Sequence, residues 1–521
     1  MIYKSKRPDV EIPDATLPEH VLGEARERGE HPALIDGVSG GVITYAEFAD
    51  VVDALAAGLQ RDGLGRGDVF ALVGGNSAEW AIAYHAILRA GGVVTPINPL
   101  LTPDEVGKQL SDSKTRGVIA MGPLVEPLRH AAERAGAEWV RALERGAEGS
   151  VFELAADGAE PEDVGIKPED LAVLPYSSGT TGVMKGVVLS HRNLVANIEQ
   201  IQDGITLSED DTLVGVLPFF HIYGQTVVLN QGLAKGATIV TMPRFDLDGL
   251  LDIIENHGVT LLHIAPPVVL AFATAPQVEG RDFSGLRIVI SGAAPLDEDL
   301  SGRAEARIGV PIRQGYGMTE LSPVSHKTRV DDAAVTPPGS VGPLVPNTEA
   351  RLVDPASGED AAEGGEGEIW IRGPQVMVGY LDQPEATAQT LTDDGWLRTG
   401  DIARIDAGGY AFIVDRLKEL IKYKGYQVPP AELEAVLVSH PQVKDAGVIG
   451  VPHEGGDEYP KACVVCEGDL GADELMAFVA ERVAPYKKVR EVEIVEEIPK
   501  SASGKILRRV LREQYGAAAD A

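Results

Sequence analysis

Strand-like and helix-like segments alternate along the first four-fifths of this 521-residue chain. Apolar runs typical of buried strands occupy residues 69–74 and 92–97, and the segments between such runs have helical spacing of their apolar residues. Helix-start signals precede two of these segments, at Ser77 and at Thr102. Because strands that alternate with helices form βαβ units, this pattern predicts mostly parallel sheets with covered faces.

The character of the sequence changes twice toward the C-terminus. Between about residues 337 and 415, short segments separated by Gly, Pro and Asp turns predict a small β-rich subdomain. Residues 416–521 have their own βα pattern and predict a smaller α+β domain. The expected fold class is therefore α/β, with a large N-terminal domain over residues 1–415 and a smaller, mobile C-terminal domain.

Charge and composition exclude several classes of protein. The net charge of −33 opposes general binding to nucleic acid or to an anionic membrane surface. Two cysteines are too few to cross-link a secreted fold of this size, and no signal peptide or membrane-spanning apolar run is evident. We therefore expect a cytoplasmic enzyme that acts on small molecules, of unknown oligomeric state.

Two sets of residues resemble metal or redox sites but have simpler explanations. Cys463 and Cys466 have C-x-x-C spacing, yet they lie in a predicted strand, where residues three apart face opposite sides. His257 and His263 flank a short predicted strand and have no other ligand-type residues nearby in the sequence. We interpret all four as packing or surface residues.

The segment YSSGTTGVMKG, residues 176–186, carries the strongest chemical signal. Its glycines allow backbone N–H groups to turn inward, its hydroxyls add donors, and Lys185 adds a positive charge. The spacing is not that of a Walker A loop, and the segment leads into a strand rather than a helix. Because apolar runs flank it on both sides, a phosphate cradle is favoured over a flexible Ser/Gly turn.

Five motifs in order resemble those of the adenylate-forming superfamily, which includes acyl-CoA synthetases, peptide-synthetase adenylation domains and firefly-type luciferases. They are the phosphate loop, QGYGMTE (residues 314–320), the element from Tyr380 through TGD (residues 399–401), DRLKELIKYKG (residues 415–425) and PKSASGK (residues 499–505). Two further segments, PFFHIYG (residues 218–224) and SGAAPL (residues 291–296), are most similar to those of 4-coumarate–CoA ligases.

The resemblance implies a two-step reaction. A carboxylate attacks the α-phosphorus of ATP and pyrophosphate leaves, and the thiol of coenzyme A then attacks the acyl-adenylate. ATP, Mg²⁺ and coenzyme A are the implied cofactors, and cinnamate or 4-coumarate is the implied acid. Other interpretations stay open: a CoA synthetase for a medium-chain fatty or benzoic acid, luciferase-like oxygenation, an acyl-AMP ligase that loads a carrier protein, and a nucleotide sensor without turnover.

The resemblance also implies the nucleotide-binding residues. The β- and γ-phosphates would be held by Ser177, Ser178, Gly179, Thr180, Thr181, Gly182 and Lys185. Thr319 would contact the α-phosphate, and Glu320 would hold Mg²⁺ through carboxylate oxygen. Asp401 and Arg416 would bind the ribose. The adenine pocket would be formed by Gly292, Ala293, Ala294, Gln314, Gly315, Tyr316 and Gly317.

The C-terminal motifs imply two alternating sets of residues. Lys505 would bridge the attacking carboxylate and the α-phosphate, where charge develops. For the second step the C-terminal domain would turn about a hinge near Lys418. Lys505 would then leave, and the incoming residues would be Lys422, Lys424, Gly425 and Gln427. His221 would guard the entrance for the thiol, although a buried structural histidine is an alternative.

The implied acyl pocket is lined by Ile222, Tyr223, Thr226, Ile290, Gly315, Gly317, Pro323 and Val324. The two glycines are expected to leave room for a flat ring. The resemblance puts a lysine at position 290 in the plant enzymes, and Asn in many relatives at position 226. Without those polar anchors, the pocket should discriminate weakly between rings with and without a hydroxyl, so both cinnamate and 4-coumarate are expected substrates.

Overall fold

The structure is a computed structural model of the chain, and it describes residues 1–156, 158–177, 184–417, 419–423, 426–452, 458–468, 470–501 and 504–516. Of Tyr426 and Gln427 it describes the backbone alone. The strands in these ranges are, in chain order, β1 (Ile2–Lys4), β2 (Pro32–Asp36), β3 (Val42–Thr44), β4 (Val69–Val73), β5 (Val93–Ile97), β6 (Gly117–Ala120), β7 (Trp139–Ala142), β8 (Leu171–Val173), β9 (Tyr176–Ser177), β10 (Lys185–Ser190), β11 (Thr212–Gly215), β12 (Thr238–Thr241), β13 (Leu261–Ile264), β14 (Ile288–Ser291), β15 (Ile312–Gly317), β16 (Val324–Lys327), β17 (Glu349–Val353), β18 (Gly367–Arg372), β19 (Gly379–Tyr380), β20 (Leu397–Ile405), β21 (Ala411–Arg416), β22 (Ile421–Tyr423), β23 (Tyr426–Val428), β24 (Val443–Pro452), β25 (Glu458–Cys466) and β26 (Glu491–Ile494).

The helices of the same ranges follow in chain order: α1 (Leu17–Leu22), α2 (Ala25–Arg28), α3 (Tyr45–Arg61), α4 (Ala78–Arg89), α5 (Pro103–Asp112), α6 (Gly122–Ala135), α7 (His191–Gln202), α8 (Gln231–Ala234), α9 (Leu247–Asn256), α10 (Pro266–Thr274), α11 (Glu298–Ile308), α12 (Pro384–Thr390), α13 (Pro430–Val438), α14 (Ala472–Ala480) and α15 (Arg508–Tyr515). A π-helical segment, Tyr223–Asn230, precedes α8. No helix of the described residues is both long enough and apolar enough to cross a bilayer.

Two eight-stranded sheets form the bulk of the molecule. In the first, β8, β5, β4, β6 and β7 lie side by side and are parallel. In the second, β15, β14, β13, β11, β12 and β2 are parallel in that order, with antiparallel strands at both edges. The α/β class with mostly parallel sheets, which the alternation of elements predicts, is confirmed.

The two predicted helix starts, at Ser77 and Thr102, are confirmed by capping hydrogen bonds. Ser77 caps α4, where its hydroxyl accepts a hydrogen bond from the N–H of Trp80 at 3.1 Å. Thr102 and Glu105 form a capping box at the start of α5. These caps fix where each helix begins after the preceding strand.

A third sheet is antiparallel and has the order β1, β17, β18, β20 and β21. Four of its strands come from the part of the chain predicted to form the small β-rich subdomain. The fifth, β1, comes from the start of the chain and pairs with β17, so that Ile2 lies opposite Arg351. Periodicity gives no sign of this pairing, because three residues are too few to show a pattern.

The C-terminal residues have a sheet and an apolar core of their own. β24, β25 and β26 form a three-stranded sheet, and α13 and α14 pack on it. Cys463 is buried in β25 whereas Cys466 is partly exposed, so the two thiols face opposite sides of the strand as predicted. The expectation that His263 flanks a strand is wrong, because His263 lies within β13, where it is buried.

Candidate functional site

The predicted nucleotide-binding residues converge where β14 and β15 end. The segment after β15 continues into a short 3₁₀ turn, Thr319–Leu321, which carries Thr319 and Glu320. Parallel strands present their carboxyl ends at a common edge, which is where α/β sheets bind ligands. The third sheet and the C-terminal loop around Lys505 close over the same edge.

Glu320 joins three of the predicted motifs. Its side chain is 5% exposed, and its Oε1 accepts hydrogen bonds from Ser177 Oγ at 3.2 Å and from Tyr380 Oη at 2.9 Å. Burial, followed by the Glu320 charge, raises the pKa of Tyr380 and keeps it a donor. Among the described residues, no donor reaches Oε2. A lone buried carboxylate with one free oxygen fits Mg²⁺, which takes most of its ligands from phosphates and water.

Lys185 lies beside the same tyrosine. Its Nζ is 4.8 Å from the centroid of the Tyr380 ring, a cation–π contact that holds the ammonium at the start of β10. Of the predicted phosphate loop, Ser177 and Lys185 are therefore near Glu320. The rest of the loop, Ser178, Gly179, Thr180, Thr181 and Gly182, lies outside the described residues.

Asp401 and Arg416 face each other across neighbouring strands. Arg416 Nε lies 3.1 Å from Asp401 Oδ1, and Tyr316 Oη donates to Asp401 Oδ2 at 2.6 Å. Burial and the Asp401 charge raise the pKa of Tyr316, so its hydroxyl stays protonated. Asp401 is itself buried, so both donors fix its orientation. The carboxylate and guanidinium together offer acceptors and donors suited to a pair of vicinal hydroxyls.

Gln314, which is predicted to line the adenine pocket, is anchored to the neighbouring loop. Its amide makes two hydrogen bonds to the backbone of Leu296, accepting from the N–H at 3.2 Å and donating to the carbonyl at 3.3 Å. It thereby fastens the loop of residues 292–296 to β15. Its contacts within the described residues are those of a residue that shapes the pocket.

The loop after β14 is tightly packed and strained. Ala293 has a φ of 71°, a conformation that is unfavourable for a residue with a side chain. A Cβ on Gly292 would lie 2.7 Å from Cε1 of Tyr223, so a glycine is needed for that ring to pack against the loop. Gly292, Ala293 and Ala294 therefore share a wall with the predicted acyl pocket.

The C-terminal loop brings Lys505 to this edge. A Cβ on Gly504 would lie 3.1 Å from Cδ of Pro267, which shows how closely the loop approaches α10. Burial, then the charge of Arg416, lowers the pKa of Lys505 to about 8, while Glu419 and Asp401 oppose that shift. The lysine thus lies in the electrostatic field of the predicted ribose site.

Arg508 holds this loop in position, and sequence reasoning did not single it out. It is buried, and it donates to Glu434 at 2.6 Å, to the Val448 carbonyl at 3.2 Å and to Glu419. Glu434 lies on α13 and Glu419 follows the junction between the two predicted domains. The one available signal was an arginine three residues after Lys505 in a strongly acidic chain.

Lys422 is far less enclosed than Lys505. Its side chain is exposed, and its backbone N–H donates to Glu458 at 3.2 Å. Among the expected residues of the second step, the side chain of Gln427 and all of Lys424 and Gly425 lie outside the part of the chain that the structure describes, as does Lys418. In this arrangement, Lys505 is the lysine brought to the site.

His221 is held as a neutral ring. Its Nδ1 accepts a hydrogen bond from the N–H of Tyr223 at 3.3 Å, which assigns the proton to Nε2. Burial, then the Lys505 charge, lowers the pKa of His221 to about 4. His221 therefore presents an N–H donor near Lys505, and it is the only predicted catalytic histidine.

The predicted acyl pocket has an aromatic wall with polar neighbours. Tyr223 Oη lies 3.2 Å from Nδ1 of His263, and the two rings meet edge-on at 80° with centroids 5.7 Å apart. Thr226 Oγ1 is buried and has no hydrogen-bond partner among the described residues. Ile222 and Ile290 are buried in the apolar core next to this wall.

Asn197 fixes the opposite wall, and it was not predicted. Its amide donates to the Val324 carbonyl at 2.8 Å and accepts from the Val324 N–H at 3.0 Å. Pro323 and Val324 are thereby held in register at the start of β16. Buried asparagines give no signal in a single sequence that distinguishes them from surface ones.

The two glycines of the predicted acyl pocket, Gly315 and Gly317, differ in the space that their surroundings would leave for a side chain. A Cβ on Gly317 would lie 2.0 Å from the carbonyl oxygen of Pro323, so the packing of the backbone by itself requires a glycine there. A Cβ on Gly315 would meet nothing closer than the His326 carbonyl at 3.4 Å. Of the two glycines, Gly315 is therefore the one where the backbone leaves room for a small group, about the size of a methyl.

Comparisons with known proteins agree with this geometry. The family of AMP-binding enzymes matches residues 23–381, and the AMP-binding enzyme C-terminal domain matches residues 432–505. A 4-coumarate–CoA ligase of Oryza sativa subsp. japonica is 42% identical over 99% of this chain and 95% of its own length. One from Arabidopsis thaliana is 39% identical over 98% and 95%.

Solved structures have the same fold. ATP-bound MatB from Rhodopseudomonas palustris superposes with a TM-score of 0.88 at 31% identity, covering 96% of this chain and 99% of that one. The o-succinylbenzoate CoA synthetase of Bacillus subtilis, in complex with its acyl-adenylate intermediate, gives a TM-score of 0.86 at 27% identity, with 96% and 99% covered.

Proposed function

This chain belongs to the AMP-binding enzyme family, and from that premise we propose that it activates a phenylpropenoic acid, such as cinnamate or 4-coumarate, and transfers the acyl group to coenzyme A. It is an AMP-forming acid–thiol ligase: the acid becomes an acyl-adenylate with loss of pyrophosphate, and the thiol of coenzyme A then displaces AMP. The full-length match to 4-coumarate–CoA ligases supports the choice of acid.

In the first step the chain must bring anions together and stabilise charge on the α-phosphate. Lys505 would contribute its ammonium at that point, and Thr319 a hydroxyl from the turn after β15. Asp401 and Arg416 would bind the ribose hydroxyls, which anchors the nucleotide beside Lys505. Ser177 and Lys185, with the remainder of the loop, would hold the leaving pyrophosphate.

Glu320 is the residue proposed to hold Mg²⁺. When bound, the ion would neutralise charge on the phosphates. Ser177 and Tyr380 orient the carboxylate through hydrogen bonds to Oε1, which leaves Oε2 for the cation. No group of three or more metal-ligating side chains occurs among the described residues, which agrees with a cation whose remaining ligands come from phosphate and water.

For the second step we propose that residues 416–521 turn as a domain relative to residues 1–415, about a hinge near Lys418. Lys422, Lys424, Gly425 and Gln427 would then replace Lys505 at the site. His221, as a neutral N–H donor, would face the entering thiol. An activated adenylate has a good leaving group, so His221 need not act as a general base.

One observation carries the proposal: the Lys505 loop packs against the nucleotide edge, with the lysine in the field of Asp401 and Arg416. The test measures thioesters by mass spectrometry with ATP, Mg²⁺ and coenzyme A, using 4-coumarate, cinnamate, caffeate, benzoate and octanoate. Coumaroyl and cinnamoyl thioesters with AMP as product are expected. Octanoyl-CoA alone would refute the aromatic pocket, and ADP would refute the two-step reaction.

A pair of lysine variants tests the site itself. Lys505→Ala should abolish acid-dependent exchange of pyrophosphate into ATP, while retaining nucleotide binding. Lys500→Ala is the matched control, because Lys500 Nζ bonds to Asp445 at 2.6 Å and faces the C-terminal sheet. Equal loss in both variants would mean that the substitutions damage the loop and not the chemistry.

A further inference from the structure

A single row of residues crosses four neighbouring strands on the face that carries the predicted acyl pocket. His263 on β13 is the register partner of Ile290 on β14, and Gly315 on β15 is the partner of Lys327 on β16. Ile290 pairs with the residue two before Gly315, so all four share one face of the sheet. Lys327 lies in none of the sequence motifs.

Lys327 is a lysine on a buried face of a sheet, where charged side chains are rare. It is 7% exposed, and burial lowers its pKa to about 7. Its Nζ donates to the carbonyl of Ile201, and no other acceptor or ion-pair partner reaches it among the residues that the structure describes. An ammonium has three N–H donors and a neutral amine has two, so Nζ keeps at least one unused donor in a buried position in either protonation state.

The space next to Lys327 belongs to the acyl pocket. A Cβ on Gly315 would lie 3.9 Å from Cγ2 of Ile290 on one side and 3.9 Å from Cβ of Lys327 on the other. These are ordinary contact distances, so the missing side chain leaves a gap of about one methyl group between the two residues. Tyr223, through its contact with His263, stands at the end of the same row. Gly315 lies two residues, about 7 Å of strand, before the end of β15 that leads to the Lys505 edge.

We propose that Lys327 recognises an oxygen substituent on the ring of the acid, by donating a hydrogen bond across the gap at Gly315. The proposal rests on the proposed function and names the substrate class within it: ring-oxygenated phenylpropenoic acids. It supplies a donor for the ring hydroxyl that position 290 lacks, and so it predicts stronger discrimination between rings with and without a hydroxyl than position 290 alone does. Ile290 and Lys327 flank the same gap, so a lysine on β16 can serve the space that a lysine on β14 would serve.

The first measurement uses the unaltered protein and four acids: 4-coumarate, 4-methoxycinnamate, 4-methylcinnamate and cinnamate. A methyl group has nearly the size of a hydroxyl but accepts no hydrogen bond. We expect kcat/KM for 4-coumarate and 4-methoxycinnamate to exceed that for 4-methylcinnamate about tenfold, as for a hydrogen bond from a charged donor. Equal values for 4-coumarate and 4-methylcinnamate would overturn the proposal.

The second measurement removes the cation. Lys327→Met keeps the length of the side chain, and we expect the ratio of kcat/KM for 4-coumarate to that for cinnamate to fall about tenfold. Lys461→Met is the control, because Lys461 is also buried but pairs with Glu491 in the C-terminal sheet at 2.7 Å. Its ratio should stay at the native value.

Adding a lysine on the other side of the gap completes the test. In the Lys327→Met background, Ile290→Lys should restore the preference for 4-coumarate. Parallel loss of both acids in Lys327→Met, or an unchanged ratio, would assign Lys327 a purely structural role and overturn the proposal. If the native protein forms thioesters from non-aromatic acids only, the proposed function fails as well, and the acid panel distinguishes that result.

Discussion

Tyr316 Oη donates a hydrogen bond to Asp401 Oδ2 at 2.6 Å, and this contact joins β15 of the second eight-stranded sheet to β20 of the antiparallel sheet. Both residues lie in motifs proposed to bind the nucleotide. The hydroxyl is thus a link between two sheets as well as a neighbour of the adenine site. Removing it separates these two roles.

Tyr316→Phe keeps the ring and removes the link. We expect KM for ATP to rise several-fold, because Asp401 keeps Arg416 as a partner but loses its second orienting donor, and stability to fall by about 1 kcal/mol. Steady-state kinetics and urea unfolding measure both. Tyr410→Phe, in the turn between β20 and β21, is the control, and an effect of equal size there would contradict the role of the hydroxyl.

The pKa of Lys505 predicts a pH dependence for adenylation. Burial and Arg416 lower it to about 8, so the required ammonium is present below that pH and is lost above it. We expect kcat/KM for pyrophosphate exchange to fall as pH rises through about 8. Lys505→Arg, with a guanidinium that stays charged, should lose this alkaline limb whatever its rate. A native limb that persists in Lys505→Arg would assign it to another group.

The two pocket glycines should respond differently to an added methyl group. Gly317→Ala forces a carbon against the Pro323 carbonyl, so we expect a large fall in melting temperature and loss of activity. Gly315→Ala meets ordinary van der Waals distances and should fold like the native protein. Because its methyl enters the gap, activity on aromatic acids should fall severalfold. Thermal unfolding and the acid panel measure these outcomes, and similar melting temperatures in both variants would be evidence against the distinction.

The role of Arg508 in holding the Lys505 loop can be tested against the adjacent Arg509 as a control. Arg508→Met leaves the partly buried Glu434 and Glu419 without their shared partner, which costs on the order of 2 kcal/mol. We expect the C-terminal domain to be destabilised and adenylation to be lost through displacement of Lys505. Arg509→Met removes an exposed arginine paired with Glu513 and should change neither. Retained adenylation in Arg508→Met would show that the loop holds its position without the arginine.

Local chemistry explains what the sequence predicted well. Strands and helices of the large sheets follow from apolar periodicity, and the caps at Ser77 and Thr102 follow from hydrogen bonds within one turn. The residues that meet at Glu320 could be predicted because each belongs to a sequence motif that is specific for one family. In each case the information lies within a few residues of the feature.

Contacts between distant segments account for the rest. The backbone contact of Gln314 with Leu296, the clash that makes Gly317 a glycine, and the support of Val324 by Asn197 all depend on segments that meet only after folding. A resemblance assigns roles to positions but not the reasons for them. Lys327 was missed because a buried lysine on a strand is indistinguishable in sequence from one that faces solvent.

The pairing of β1 with β17 has a consequence for the order of folding. Ile2 is synthesised long before its partner Arg351, because several sheets and helices of the chain lie between them in the sequence. The sheet that carries Asp401 and Arg416 therefore cannot be completed during synthesis of the N-terminal half. Pairing over such a separation in sequence is slow to form, so assembly of this part of the nucleotide site should be a late event in folding.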